Sequence, residues 1–144
     1  MTYTKHFVHN RRVNKKRAAL PKPTPSELAI LGVLWRIGPA TVRQVHEALG
    51  RGHAASYTTT LKLMQIMTGK GLLERDERGR AHLYRPVSKR EETQGRIVSD
   101  LLDRAFGGSA AELVLRALSE RRASAEEIRE IRATLDSIER ERKR

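Results

Sequence analysis

The chain has 144 residues, of which 29 are Lys or Arg and 17 are Asp or Glu, and its formal net charge is +12. It contains no cysteine, which excludes disulfides, thiolate metal sites and a cysteine nucleophile. Its length fits one domain, or a small domain with an appendage. Because no apolar run approaches the ~20 residues of a membrane helix, and no apolar segment follows the basic N-terminus as in a signal peptide, we expect a soluble, cytoplasmic protein.

Residues 1–24 are expected to form a disordered basic arm. They carry seven Lys or Arg and no acid. Apolar residues are sparse there, and Pro21 and Pro23 stand ahead of the first helical pattern, so the segment cannot bury enough apolar surface to fold. Several interpretations of the arm stay open: it reaches into a minor groove, it simply adds affinity, or it is an inert tail or the product of a mistaken start site.

Capping boxes mark the predicted helix starts. In this motif a Ser or Thr side chain and a Glu or Gln three residues later each accept a backbone N–H of the first turn. Together with the glycines that end helices, the motif predicts helices over residues 25–37, 42–49 and 56–70, and later over residues 89–106, 110–118 and 125–142. The boxes are Thr24–Glu27, Thr41–Gln44, Ser88–Glu91, Ser109–Glu112 and Ser124–Glu127.

Apolar periodicity predicts the buried side of the first three helices. The expected inward residues are Leu28, Leu31, Leu34 and Trp35 in the first helix, Val45, Ala48 and Leu49 in the second, and Thr60, Leu63, Met64 and Met67 in the third. The outer side of the third helix is expected to carry Thr58, Leu61, Lys62 and Gln65.

A basic hairpin is predicted after the third helix. The segments Leu72–Arg75 and Ala81–Tyr84 flank a turn at Glu77–Arg80. Three short helices and a two-stranded hairpin follow each other in this order in the winged helix-turn-helix, whose third helix enters the major groove while the hairpin, or wing, lies along the DNA backbone. The predicted fold class is therefore mainly α with a small antiparallel β-hairpin: a winged helix-turn-helix over residues 25–87, followed by a helical dimerisation region over residues 88–144.

The last helix carries an apolar seam. Its four large aliphatic residues recur at spacings of three, four and three, which is the pattern of a coiled coil. The seam is too long for so small a core, so it indicates a partner subunit. The predicted dimer contacts are Ile97, Leu101, Leu113, Leu118, Ile128, Ile131, Leu135 and Ile138.

The third helix lies in a stretch without acidic residues, from Ala48 to Leu73. Residues 25–87 carry nine Lys or Arg against five acids, whereas residues 88–144 carry thirteen against twelve. The positive excess therefore belongs to the arm and the winged segment, which favours binding to a polyanion. We also expect the third helix to be the one helix without an acid in its first turn, where an acid would repel a phosphate.

Nucleic-acid binding is thus the leading hypothesis. Hydroxyls at the start of the third helix suit phosphates or base edges, Lys62 suits guanine or a phosphate, and Gln65 suits adenine. The predicted DNA contacts are Ser56, Tyr57, Thr58, Thr59, Lys62 and Gln65 in the third helix, Arg78 and Arg80 in the hairpin, and Arg43 in the second helix.

The sequence gives little support to other functions. The five histidines show no metal-ligand spacing, and no Gly-rich phosphate loop or nucleophile elbow is present. We expect no catalytic residues, no metal, no cofactor and no enzyme activity. Two alternatives stay open: an RNA- or ribosome-associated basic winged-helix protein, which the aromatic content of 4% argues against, and a winged helix that only binds proteins, which the missing acids oppose.

The segment from residue 25 to residue 86 resembles the penicillinase and methicillin-resistance repressor family, of the BlaI/MecI type. The tail from Phe106 onward matches this family more loosely. The residues that carry the resemblance are Glu27–Trp35, Gly38–Val45, Tyr57–Thr59, Lys70–Leu73 and Gly79–Pro86.

The resemblance implies a homodimeric transcriptional repressor of antibiotic-resistance or related stress genes. In this family the winged helix binds an operator with inverted TACA/TGTA-like half-sites, and the C-terminal helices form the dimer. The resemblance also implies a signalling link to a membrane metalloprotease, which in the best-known members leads to cleavage of an Asn-Phe bond after the wing. The corresponding stretch here, Asp100–Phe106, contains no Asn, so that bond is absent and the inducing signal stays open. The family's copper-responsive branch uses cysteines, which this chain lacks.

Overall fold

The computed structural model describes residues 22–53 and 55–144. The predicted disordered arm therefore lies outside the described residues, apart from residues 22–24. Two compact units make up the chain, one extending to Ile97 and one beginning at Val98. The predicted domain limits, 25–87 and 88–144, stay a prediction.

The first unit has the element order that the sequence predicts. Three helices are followed by an antiparallel hairpin in which Leu73 pairs with Pro86 and Asp76 with Leu83. A backbone bridge joins Ala40, between the first two helices, to Tyr84 in the second strand. The elements are α1 (Pro25–Ile37), α2 (Val42–Leu49), α3 (Tyr57–Lys70), β1 (Leu73–Asp76), β2 (Leu83–Pro86) and the start of α4 (Arg90–Ala105).

The second unit consists of helices alone. It contains the rest of α4, then α5 (Ala110–Glu120) and α6 (Ala125–Arg142). Of residues 98–144, all of which are described, none is buried. Within residues 22–53 and 55–144, no helix is both long and apolar enough to span a bilayer.

A single apolar core lies inside the first unit. The predicted inward face of α3 is largely confirmed, because Thr60, Met64 and Met67 are fully buried, while Leu63 is half-buried and packs against the core. The prediction for α2 is partly wrong: Ala48 is exposed and Val42 is buried instead. Val42, Val45 and Leu49 share one stripe at helical spacing, and Ala48 lies beside that stripe.

Several element starts differ from the prediction. The second strand begins at Leu83, two residues later than predicted, and α3 begins at Tyr57, with Ser56 as its cap. The third helix ends in a left-handed Gly71, and the N–H of Leu72 donates to the carbonyl of Met67 at 2.9 Å. This Schellman motif occupies Leu72, so β1 begins one residue later than predicted. Likewise, Ser88 does not cap α4, because its Oγ accepts from Arg96 at 2.8 Å and its carbonyl accepts from Trp35 Nε1 at 3.1 Å.

Glu27 connects the first helix to the third. Its carboxylate accepts the N–H of Thr24 at 3.0 Å, completing a capping box, and also accepts Lys70 Nζ at 2.8 and 2.9 Å. The Glu27 side chain is 2% exposed and that of Lys70 is 31% exposed. Burial alone would raise the pKa of Glu27, but the hydrogen bonds from Lys70 and Thr24 and the charge of Lys70 lower this pKa below its ordinary value of 4.5.

A lowered pKa makes the contribution of Glu27 to stability dependent on pH. The carboxylate stabilises the fold fully above the pKa of the unfolded chain, and this stabilisation is lost as the pH falls through the folded-state pKa. We expect Glu27→Gln to lower the free energy of unfolding by about 1–3 kcal/mol at pH 7. This loss of stability should become smaller when the pH is below 4.5, the ordinary pKa of the carboxyl group. Urea unfolding at pH 7 and at a pH below 4.5 measures the difference.

The control is Glu47→Gln, which removes the same charge from an exposed position of α2. That variant should unfold close to the wild type. A Glu27→Gln penalty that stays constant between neutral and acidic pH would show that the ion pair with Lys70 does not stabilise the fold.

Candidate nucleic-acid interface

At the start of α3, some hydroxyl groups form hydrogen bonds within the fold and one is exposed without such a bond. Ser56 caps the helix by accepting the N–H of Thr59 at 3.2 Å, and the two hydroxyls lie 3.1 Å apart. Thr60 is buried, donates to the Ser56 carbonyl at 3.3 Å and lies 3.0 Å from His46 Nδ1. Thr58 is exposed, and its side chain is not part of this hydrogen-bond network.

The outer side of α3 presents a row of polar side chains. Thr58, Lys62 and Gln65 are exposed and lie on one helical face because they are spaced by four and three residues. Leu61 was expected in the same row, but it is half-buried and packs against the core. The surface available to a base edge is therefore narrower than the sequence predicted.

Tyr57 links the start of α3 to α2. The Arg43 guanidinium carbon lies 5.1 Å from the centre of the Tyr57 ring, a cation–π distance. The edge of His46 meets the same ring with centroids 5.8 Å apart and an interplanar angle of 88°. Thus the buried Thr60, His46, Tyr57 and the exposed Arg43 form one continuous chain of contacts.

The two arginines at the hairpin tip differ in their ion pairing. Asp76 Oδ1 accepts the backbone N–H of Arg78 at 3.1 Å and lies 3.5 Å from the Arg78 Nε. Arg80 is exposed and forms no ion pair within the described part of the chain. At the base of the hairpin, Glu74 and Arg85 pair across the strands at 2.7 Å.

Ion pairs explain which cations are available to a ligand. Of the five acids in residues 25–87, four are paired with a Lys or Arg of the same segment: Glu27 with Lys70, Glu74 with Arg85, Asp76 with Arg78 and Glu77 with Arg75. Among the described residues, the cations of this segment without an acidic partner are Arg36, Arg43, Arg51, Lys62 and Arg80.

A groove of about 400 Å³ lies between α2, α3 and the hairpin. Two of its walls carry Arg43 and Arg80, and its floor includes the buried Val42 and Tyr84. The complete lining is Thr41, Val42, Arg43, Tyr57, Leu61, Arg80, Ala81, His82 and Tyr84. Sequence periodicity could not reveal this groove, because each of three elements contributes only a few residues to it.

The acid-free surface extends further than predicted. The expectation that α3 alone lacks an acid in its first turn is wrong, because α2 lacks one as well. The capping box of α2 uses Gln44, whose side chain accepts the Thr41 N–H at 2.9 Å. A neutral amide thus completes this cap, and both helix starts keep the positive end of their dipoles unopposed.

All nine predicted DNA-contact residues are exposed, and they come from α2, α3, the residue before α3, and the hairpin. Arg43, Tyr57 and Arg80 meet at the groove, whereas Arg78 is held by Asp76. Ser56 and Thr59 have hydroxyls engaged in the cap. The nine remain predicted contacts.

Comparisons with known proteins identify the family to which the sequence is similar. A family model described as penicillinase repressor matches residues 23–137. The "Transcriptional regulator BlaI" of Mycobacterium tuberculosis, from strains CDC 1551 and H37Rv, is 35% identical over 114 residues, covering 78% of this chain and 82% of the relative.

Two solved structures show a partial likeness. A probable transcriptional regulator from Pseudomonas aeruginosa shares 25% identity over 89% of this chain and 92% of its own, with a TM-score of 0.40. The solution structure of apo-NmtR shares 26% identity over 69% and 81%, with a TM-score of 0.38. The extent of the family match and the identity to the mycobacterial regulators establish that the chain belongs to the penicillinase repressor family.

Proposed function

We propose that the chain is a DNA-binding transcriptional repressor that acts as a homodimer on a palindromic operator. One observation carries this proposal. In the winged segment four of the five acids are paired with cations of the same segment, and unpaired cations stand on the outer side of α3, at the start of α2 and at the hairpin tip. These are the elements by which a winged helix meets the major groove and the backbone.

Base reading falls to the exposed row on α3. Lys62 suits the O6 and N7 of guanine, Gln65 suits the N6 and N7 of adenine, and the methyl group of Thr58 suits that of thymine. None of these three side chains takes part in the hydrogen bonds of the described fold. Their chemistry is therefore available to the operator.

Dimerisation explains the apolar surface of the second unit. A helical unit without a buried residue cannot be stable alone, because its apolar side chains stay in water. A second copy would cover them, and its two-fold symmetry would match inverted half-sites. The large hydrophobic residues exposed from residue 98 onward are Val98, Leu101, Val114, Leu115, Leu118, Ile128, Leu135 and Ile138.

The regulated genes and the signal follow from the family. We infer control of antibiotic-resistance or related stress genes and a link to a membrane metalloprotease. Induction must proceed without the Asn-Phe bond, since the stretch Asp100–Phe106 lacks it. Release of DNA here therefore uses another cleavage site or another signal.

The direct test is a salt-titrated binding assay on the DNA upstream of the protein's own gene. Specific binding should exceed binding to a scrambled duplex, and the logarithm of affinity should fall linearly with the logarithm of salt concentration. An RNA duplex of the same length serves as competitor. Equal competition by RNA and operator DNA would instead support an RNA-associated protein.

The role of Lys62 can be measured directly. We expect Lys62→Ala to weaken operator binding by about 1–3 kcal/mol and to relax base preference at one position, because a base contact is lost. The matched control is Lys89→Ala, an exposed lysine outside the predicted contacts. Unchanged affinity of Lys62→Ala for operator and scrambled DNA would remove this residue from the interface.

The dimer can be tested at the seam of α6. We expect Leu135→Asp to give monomers with weak DNA binding, because a buried charge at the seam would lack a partner. Analytical ultracentrifugation reports the mass. Ser137→Asp places the same charge on the opposite face of α6 and should leave the dimer intact. A stable Leu135→Asp dimer would locate the interface elsewhere.

A further inference from the structure

We propose that the groove between α2, α3 and the hairpin is a clamp for a single backbone phosphate of DNA, held by Arg43 from one wall and Arg80 from another. The inference rests on the proposed function, since it assigns a subsite to the same interface. It goes beyond the proposed function because two arginines that are distant in sequence bind the same phosphodiester group.

Charge complementarity identifies the occupant. Arg43 and Arg80 line the same groove, and neither has an acidic partner among the described residues. Two guanidinium groups that share a groove repel each other unless an anion lies between them. A phosphodiester supplies that charge and matches the fork of donors that each guanidinium presents.

The floor of the groove suits the sugar attached to that phosphate. Val42 and Tyr84 are 7% and 2% exposed, and Leu61 and Ala81 add further apolar surface. The carbon face of a deoxyribose can pack there while its phosphate reaches the arginines. The acid-free first turn of α2 adds the positive end of a helix dipole beside the anion.

Tyr57 acts as a positioning residue for this clamp. Its ring lies against Arg43 at 5.1 Å and against the edge of His46 at 5.8 Å, and His46 is in turn hydrogen-bonded to the buried Thr60. Arg43 is therefore held in place before DNA arrives, which reduces the entropy lost on binding.

Arg78 is the internal counterexample. It lies two residues from Arg80, but its backbone and side chain are both held by Asp76. Its charge is thus partly neutralised inside the hairpin. Arg78 therefore lies outside the clamp, which uses Arg80.

The experiment compares salt dependence among Arg43→Gln, Arg80→Gln, the double variant and Arg36→Gln, an exposed arginine of α1 outside the predicted contacts, using the upstream duplex and a scrambled duplex. A lost phosphate contact lowers the log–log salt slope by about 0.9 per bound protomer. We expect this drop in each single clamp variant on both duplexes, no further drop in the double variant, and no change in Arg36→Gln.

The outcomes separate the clamp from the proposed function. Additive slope changes in the double variant would mean two separate phosphates and would overturn the clamp. A slope loss in Arg36→Gln equal to that of Arg80→Gln would also overturn it, because any exposed cation would then have the same effect. Failure of the wild-type chain to bind any DNA would instead remove the proposed function itself.

A second measurement locates the phosphate. Neutral methylphosphonates are introduced one at a time along the duplex. At one position per half-site, this replacement should lower the affinity of the wild type. The same replacement should not lower the affinity of Arg43→Gln or Arg80→Gln any further, because those variants have already lost the contact.

The positioning role of Tyr57 has its own test. Tyr57→Leu should lower the salt slope as Arg43→Gln does, whereas Tyr57→Phe, which keeps the ring, should have the wild-type slope. A loss in Tyr57→Phe equal to that in Tyr57→Leu would indicate a direct hydroxyl contact and exclude the positioning role.

Discussion

A buried carboxylate fixes the helix on which the proposed DNA contacts depend. Glu27 caps α1 and binds Lys70, the last residue of α3, so two helices share one anion. This contact pins the end of α3 opposite its capped start at Ser56. With both ends held and Met64 and Met67 buried in between, the helix cannot rotate about its axis. The exposed row of Thr58, Lys62 and Gln65 is presented in a fixed direction as a result.

Ion pairs within the winged segment also determine its electrostatic surface. Each paired acid in the winged segment neutralises a cation that supports the fold, such as Arg85 at the base of the hairpin or Arg78 at its tip. The cations without an acidic partner include Arg43 on α2, Lys62 on α3 and Arg80 in the hairpin, all of which are exposed. Net charge alone would not distinguish these two groups, because Arg78 and Arg80 look equivalent in sequence.

Local signals in the sequence were sufficient for most of the fold. The bounds of α1, α2 and α6 were predicted to the residue, because capping boxes at Thr24, Thr41 and Ser124 form as expected. The prediction failed where a distant contact competes with a local motif, as at Ser88, which bonds to Trp35 and Arg96 instead of capping α4. The groove was not predicted for the same reason, since the elements that line it come together only after folding.

In α3, the side chains that stabilise the helix start are different from those that are proposed to contact bases. Ser56, Thr59 and Thr60 hold the helix, while Thr58, Lys62 and Gln65 take no part in the hydrogen bonds of the described fold. Substitutions at the second group should change which operator is preferred without unfolding the domain. Under the proposed function, a scaffold divided in this way can acquire new operators by substitution at three surface positions. It therefore offers a starting point for building repressors with orthogonal specificity.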